Sequence, residues 1–481
     1  VRRYDLVVIG GGTGGLVCAL IAAGIGARVA LIEQNRTGGD CLWTGCVPSK
    51  SLIAAASLAH RIRHADTVGL TANEPAIDFA KVMDHVWRSI HTIEPQDSPD
   101  RLRRAGVEVL AATARFSAPG RVEADGRELT YRAAIIATGS HPVLPQITGL
   151  ADCDPLTTET IWALRELPRR LLVLGGGPVG CELAQAFARL GAKVAIVEQA
   201  DRLLVKEDPK ASEMIAARLR GEGVDIRLRA HGKAVATNDD QTGELVIETT
   251  GRPDTIPFDR VLLAAGRAAR TAELALDRVG VHLDERGSVI VDRHLRTTAR
   301  GIFAVGDVTG QLPFTHVAAH HARVATPNAL FHTRASVAET IPSVTFTDPE
   351  VARVGLSERQ ARSRHGDHVR VAEFDYAELD RAIVAGEAYG FAKLIAGPRG
   401  RLLGATVAAP CAGESLAELT AWVATAAKID TISRTVHAYP TLAEGPARAA
   451  DSQLAERYSS PRLRALARPV LAALRLLHRA R

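Results

Sequence analysis

Cys41 and Cys46 are separated by four residues in the stretch Gly38-Gly39-Asp40-Cys41-Leu42-Trp43-Thr44-Gly45-Cys46-Val47-Pro48-Ser49-Lys50. Two thiols so close can cycle between dithiol and disulfide, bind a soft metal, or be inert. Gly38 and Gly39 permit a tight turn before the pair, and Gly45 permits a second bend just before Cys46. Pro48 has no N–H to lose, so it suits the first turn of a helix. Cys46 is therefore expected at a helix N-terminus, where the positive end of the dipole favours a thiolate. A zinc site needs further nitrogen or sulfur ligands, and neither a second cysteine pair nor a Cys/His cluster appears at suitable spacing. The redox reading is preferred, and no metal-ligating residues are assigned.

The elements around this stretch supply what a redox dithiol needs. Residues 4–9 read as a buried parallel strand. Gly10-Gly11-Gly12-Thr13-Gly14-Gly15 follows, with Gly10, Gly12 and Gly15 fitting GxGxxG, then an apolar helix and a second strand ending at Glu33. Such a turn lets backbone approach a pyrophosphate at a helix N-terminus, and the acidic residue accepts a ribose hydroxyl. The unit recurs from Leu171, with Gly175, Gly177 and Gly180, and ends at Glu198. In both copies the acidic residue lies 18 positions after the third glycine. One such motif is weak evidence, but two in full strand–turn–helix–strand context imply two dinucleotides.

The bulk properties agree. A chain of 481 residues is too long for one core, so several domains are expected. The formal net charge of +5 is mild and arginine-driven, which argues against nucleic acid as a partner. Six cysteines do not make a disulfide framework in a chain this long, and no signal peptide or membrane span is evident. A cytoplasmic setting is expected.

The dithiol stretch and the ordered motifs resemble the class I pyridine nucleotide–disulfide oxidoreductase family, which includes mercuric reductase, dihydrolipoamide dehydrogenase and glutathione reductase. Besides the two glycine units, Ile135-Ile136-Ala137-Thr138-Gly139-Ser140 resembles the family's crossover out of the first part of its FAD domain. Leu263-Ala264-Ala265-Gly266-Arg267 resembles the exit from its nicotinamide domain. Thr297-Thr298 to Gly306-Asp307 resembles its second FAD motif, and Thr347-Asp348-Pro349-Glu350 to Val354-Gly355 the start of its dimerisation domain. The resemblance covers about residues 4–450. It implies an α/β chain with two Rossmann-like domains and a C-terminal α+β dimerisation domain. The expected boundaries are 1–150 for the first part of the FAD domain with the dithiol, 151–270 for the NAD(P) domain, 271–341 for the second FAD part, 342–460 for dimerisation and 461–481 for a basic amphipathic tail. It also implies a homodimer.

The resemblance assigns roles. FAD is expected at Gly10, Gly12, Gly15, Glu33, Thr138, Gly139, Gly306 and Asp307, with Asp307 on the ribityl chain. The nicotinamide nucleotide is expected at Gly175, Gly177, Gly180, Glu198, Gly266 and Arg267. Glu198 favours NADH, because a carboxylate repels a 2′-phosphate; nearby Arg202 keeps NADPH as the alternative. Cys46 becomes the thiol beside the flavin and Cys41 the outer thiol. Lys50 belongs near the reactive edge of the flavin with Glu182 as its acidic partner; taken alone, Lys50 would read as a solvated helix lysine. Cys18, Cys181 and Cys411 read as packing residues.

The departures are informative. Asp40 and Trp43 stand where the family usually has threonine and asparagine. Pro178 replaces a tyrosine found in some members over the nicotinamide site. Near the end, His437-Ala438-Tyr439-Pro440-Thr441-Leu442-Ala443-Glu444 places Tyr439 where disulfide-reducing members carry a histidine general acid–base, held by a glutamate at the position of Glu444 and reaching the partner's dithiol. Tyrosine, with an ordinary pKa near 10, is a poor base at neutral pH. Mercuric reductase also carries tyrosine there, but it delivers metal through a C-terminal cysteine pair, and no cysteine follows Cys411. His437 reads as structural.

The leading expectation is an FAD-dependent NAD(P)H oxidoreductase passing electrons through Cys41 and Cys46 to a small-molecule or metal-ion acceptor. The alternatives are a dihydrolipoamide dehydrogenase-type disulfide reductase and a non-catalytic flavin redox sensor. In the tail, Leu463, Leu466, Val470, Leu474 and Leu477 share a helical face beside Arg464, Arg468, Arg475 and Arg479. Pro469 is expected to break the run, so that the regular helix begins there. The leucine face is expected either to pack on the dimer or to contact the inner membrane surface peripherally.

Overall fold

The computed structural model describes residues 3–238, 242–458 and 461–479. The chain divides into two compact units. Residues up to Asp66, with Leu70–Leu203 and Leu219–Ala338, form the first; Thr67–Gly69, Leu204–Arg218 and the chain from Glu339 onward form the second.

The first unit opens with β1 (Arg3–Ile9), α1 (Thr13–Gly24), β2 (Val29–Glu33), α2 (Gly39–Trp43), α3 (Cys46–Arg63), α4 (Phe79–Ile93) and α5 (Pro99–Arg104). Strands β3 (Val107–Ala111), β4 (Ala114–Ala118), β5 (Arg121–Ala124) and β6 (Arg127–Ile136) follow. β3-β2-β1-β6 is a parallel sheet, and β5 and β4 extend it antiparallel from the first half of β6. Leu6, Val7 and Val8 are fully buried because the two faces of β1 meet different apolar clusters. That is why this strand reads as a continuous apolar run rather than an alternating one.

The chain crosses through β7 (Ser140–Pro142) into a second dinucleotide fold. It consists of β8 (Arg170–Leu174), α6 (Pro178–Arg189), β9 (Lys193–Val197), α7 (Pro209–Gly221) and β10 (Asp225–Arg227), then β11 (Ala230–Thr237), β12 (Gly243–Thr249), β13 (Arg252–Phe258) and β14 (Arg260–Leu263). β10-β9-β8-β14 is parallel, and β11-β12-β13 is an antiparallel side sheet. β11 and β12 pair Thr237 with Gly243, and the hairpin turn that Asn238-Asp239-Asp240-Gln241-Thr242-Gly243 suggests in sequence falls on residues 239–241, which lie outside the described residues. β15 (Arg267–Ala269) returns antiparallel to β7. β16 (Ile302–Ala304) then adds to β6 in parallel, and α8 (Thr315–Phe331) follows.

The second unit carries β17 (Ser343–Thr345), β18 (Glu350–Gly355), α9 (Glu358–His365), β19 (Arg370–Asp375), α10 (Asp380–Val384), β20 (Phe391–Ala396) and β21 (Leu402–Ala409). The sheet is antiparallel in the order β17-β18-β21-β20-β19. Helices α11 (Ala412–Ala424), α12 (Ile429–Arg434), α13 (Glu444–Tyr458) and α14 (Pro461–Arg479) complete it. Leu204–Arg218 groups with this unit through Asp208, 2.9 Å from Lys393, and Glu207, 2.8 Å from Arg353.

Two expectations are corrected. Cys411 is exposed, not packed in the core. It precedes α11 in a left-handed turn, φ 52°, and the next residue, Ala412, takes the buried position. Pro469 does not begin the tail helix, since α14 runs through it from Pro461. An interior proline loses one N–H and crowds the carbonyl four residues back, but the surrounding Ala, Leu and Arg are strong helix formers.

Candidate active site

The two glycine turns are near copies in space. Gly10 has φ 101° and Gly175 φ 112°, a region that side chains resist. A methyl group on Gly15 would lie 1.8 Å from the Gly10 carbonyl oxygen, and one on Gly180 2.0 Å from that of Gly175. These glycines let each helix start directly against its strand. At the outer face the contacts reverse: a Cβ on Gly12 would meet nothing nearer than 3.8 Å, and one on Gly177 nothing within 4 Å. Neither α1 nor α6 has a side-chain N-cap or an acidic residue in its first turn. Each start is an open, positively polarised cradle of the kind a pyrophosphate fits. Glu33 accepts from Gly11 N at 2.6 Å, and Glu198 from Gly176 N at 2.6 Å, so each carboxylate is fixed beside its cradle.

The dithiol loop is joined to the first cradle. Gly38 donates its N–H to Gly11 O at 2.9 Å, and Gly38 forms a parallel bridge with Gly12. Cys41 lies in the short α2, and Cys46 is the first residue of α3, as its neighbours imply. The Cys46 thiol is pulled down to about 6. The largest cause is the hydrogen bond from Cys41; Thr315 and the charge of Lys50 add to it, against burial. Cys41 is pushed up, because its proton is the one shared with Cys46 and because it is partly buried. The arrangement holds one thiolate and one thiol.

Lys50 reaches Glu182 at 2.7 Å, so the cation sits one helical turn from Cys46 and is anchored to α6. Asp307, after β16, accepts from the Ser140 hydroxyl at 2.7 Å, and burial raises its pKa. Arg267 donates to Ser140 Oγ at 2.8 Å and pairs with Asp40. One chain of polar contacts therefore runs from the dithiol loop through Arg267 and Ser140 to Asp307. Thr138 donates to Arg270 O at 2.7 Å, Gly139 and Gly266 both have positive φ, and Gly306 N donates to His321 Nδ1 at 3.3 Å. Buried His321 is held neutral, its pKa lowered to about 4 by burial.

Tyr439 and Glu444 belong to the second unit. The Tyr439 hydroxyl donates to Asp380 at 3.0 Å, which raises its pKa further. Glu444 is buried, accepts from Thr441 N at 3.3 Å and lies 3.5 Å from Arg448. His437 pairs with Glu418 at 3.1 Å and bonds to Thr435 O. The remaining cysteines are Cys18 and Cys181, both buried, and Cys153, which donates to Leu150 O at 3.0 Å.

Sequence reasoning missed Thr315, whose hydroxyl lies 3.2 Å from Cys46 Sγ. Its one visible signal is a polar residue opening an apolar helix soon after Gly306-Asp307. Also missed was the aromatic brace around α2. Trp43 donates to Thr37 O, Trp162 to Thr44 O and Trp87 to Trp162 O. His91 stacks on Trp87 at 5.7 Å and meets the edge of Trp43 at 6.5 Å.

Two nucleotide cradles converging on a thiol–thiolate pair define a dithiol oxidoreductase that uses a flavin and a nicotinamide nucleotide. The chain belongs to the pyridine nucleotide-disulphide oxidoreductase family: that family's model matches residues 4–322, and the model of its dimerisation domain matches residues 341–450. It is 38% identical to a mercuric reductase of Streptomyces lividans, over 92% of this chain and 94% of the relative. It is 34% identical to a dihydrolipoyl dehydrogenase of Chlamydia muridarum, over 92% and 95%. The fold matches a Cu(II) complex of the HOCl-induced flavoprotein disulfide reductase RclA from Escherichia coli with a TM-score of 0.82 and 29% identity, covering 92% of this chain and 98% of that one. The protein is therefore an FAD-dependent enzyme that uses NAD(P)H, and its dimerisation domain supports a homodimer. Among the described residues no helix is long and apolar enough to cross a membrane.

A bound flavin would supply the two-electron chemistry that links a nicotinamide hydride to a disulfide. This chain's part is to hold Cys46 as the thiolate and Cys41 as the proton-bearing thiol. In the two-electron-reduced enzyme the thiolate-dependent long-wavelength absorption should titrate with a midpoint at about pH 6 and disappear below it, because acid protonates Cys46. Thr315→Val removes a donor to the anion, so the midpoint should rise by about one unit. An unmoved midpoint would show that Thr315 does not stabilise the thiolate.

Proposed function

We propose that the enzyme uses NADH to reduce a thiophilic metal ion at the Cys41/Cys46 dithiol. The observation carrying this reading is Tyr439, whose hydroxyl is engaged by Asp380 and whose pKa is raised. A disulfide substrate releases a thiolate that needs a proton from a group titrating near neutrality. A metal ion bound by two sulfurs accepts electrons without that proton. The balance is simple: one NADH restores one dithiol, and the dithiol's two electrons reduce one ion by two steps or two ions by one, returning the disulfide and releasing protons. The likeness to a mercuric reductase supports the same acceptor class, and a neighbour solved as a Cu(II) complex supports binding of a thiophilic ion. Glu198, held beside the second cradle, supports NADH over NADPH. The second reading, small-disulfide reduction, is supported by the likeness to dihydrolipoyl dehydrogenase.

The test is anaerobic reduction with one equivalent of NADH, followed by Hg(II), Cu(II), lipoamide or glutathione disulfide. Metal ions should reoxidise the enzyme rapidly and the disulfides about 10²–10⁴-fold more slowly. Cys41→Ser should lose the metal-driven step. Fast reoxidation by lipoamide with none by either metal would establish the second reading instead.

A further inference from the structure

The tail helix carries an uncovered apolar face. Every described side chain of α14 is exposed except Ala467. Leu466, Val470, Leu474 and Leu477 are 71, 59, 56 and 66% exposed. At roughly 100° per residue, these four fall within an arc of about 80°. Arg464, Arg468 and Arg475 fall within about 40° on the opposite side, and Leu471 and Leu476 lie between the two faces. No acidic residue occurs from Pro461 to the end of the given chain.

We infer that α14 is a membrane-surface helix that binds anionic phospholipid, with its leucines among the acyl chains and its arginines toward the phosphates. The charge pattern selects this occupant. A second copy meeting the leucine face would bring up another all-basic helix with no carboxylate to pair with the arginines. An anionic lipid surface offers both an apolar layer and the opposite charge. Attachment of this kind is reversible and weakened by salt.

The experiment is co-sedimentation of the holoenzyme with vesicles of phosphatidylglycerol and phosphatidylcholine, and with pure phosphatidylcholine vesicles. Three proteins are compared: the full chain, a truncation after Ser460, and the triple variant Leu466→Asp, Val470→Asp, Leu474→Asp. The full chain should bind the anionic vesicles at low salt, at least tenfold more than either altered form, and be released at high salt. Flavin absorbance of the altered forms verifies that the enzyme is folded. Equal binding by all three, or none by the full chain, would overturn the proposal. Loss of dimer mass in the altered forms without any vesicle dependence would also overturn it and make the helix a seam between copies.

Discussion

Gly15→Ala should produce a protein that fails to retain FAD, whereas Gly180→Ala should stay yellow and lose reduction by NADH. The two glycines occupy matching sites, and the added methyl would lie 1.8 and 2.0 Å from a carbonyl oxygen in the respective turns. No rotamer relieves that overlap, so the helix must shift from its strand, and the cradle shifts with it. Overpacking of this kind costs about 1–3 kcal/mol, which is about a fivefold to 150-fold loss of nucleotide affinity when it falls on the binding geometry. FAD content after gel filtration and the dissociation constant of NADH measure the two effects separately. Dithionite should still bleach the Gly180→Ala flavin. If Gly180→Ala instead lost FAD and kept its affinity for NADH, the assignment of the two cradles would be reversed.

Tyr439→His should raise turnover with lipoamide by about 10²–10⁴-fold, the usual worth of a positioned general acid–base. The replacement brings a group with an ordinary pKa near 6.5 to a position now occupied by a hydroxyl bonded to Asp380. Glu444 and Asp380 are both available on the same unit to orient an imidazole. The gain should appear in kcat, with a new limb near neutrality in the pH–rate profile. An unchanged rate would locate the barrier in the shape of the dithiol approach, where Trp43 and His91 meet.

What the sequence revealed of this site depended on how far apart the interacting residues lie and how distinctive they are. Gly10, Gly15, Gly175 and Gly180 were legible because only glycine meets their backbone and contact demands, and because their spacing is local. Cys46 at a helix start was legible for the same reason. The Lys50–Glu182 pair bridges 132 residues, and only the family resemblance brought it together. Thr315 approaches Cys46 across 269 residues, Ser140 meets Asp307 across 167, and threonine and serine carry no distinctive signal. Trp87 and His91 read as ordinary helix residues until α4 is placed against α2. Cys411 was misjudged because burial followed the left-handed turn before α11 rather than the apolar character of the thiol. Pro469 was misjudged because local helix propensity outweighed one missing donor.

The interrupted path of the first sheet bears on how the chain is made. β16 pairs with the second half of β6, but the whole second dinucleotide fold, from β8 to β14, lies between them in sequence. A chain leaving the ribosome exposes β6 first, then the complete contiguous fold, and only afterwards the strand that covers the waiting edge. The inserted fold can therefore assemble early, while the outer one must hold an unpaired strand edge until residue 304 has emerged. Late closure across so long a separation is slow, because the loop entropy is spent before the contact forms. Closure of β16 on β6 is then a late event in the assembly of this unit rather than the one that begins it.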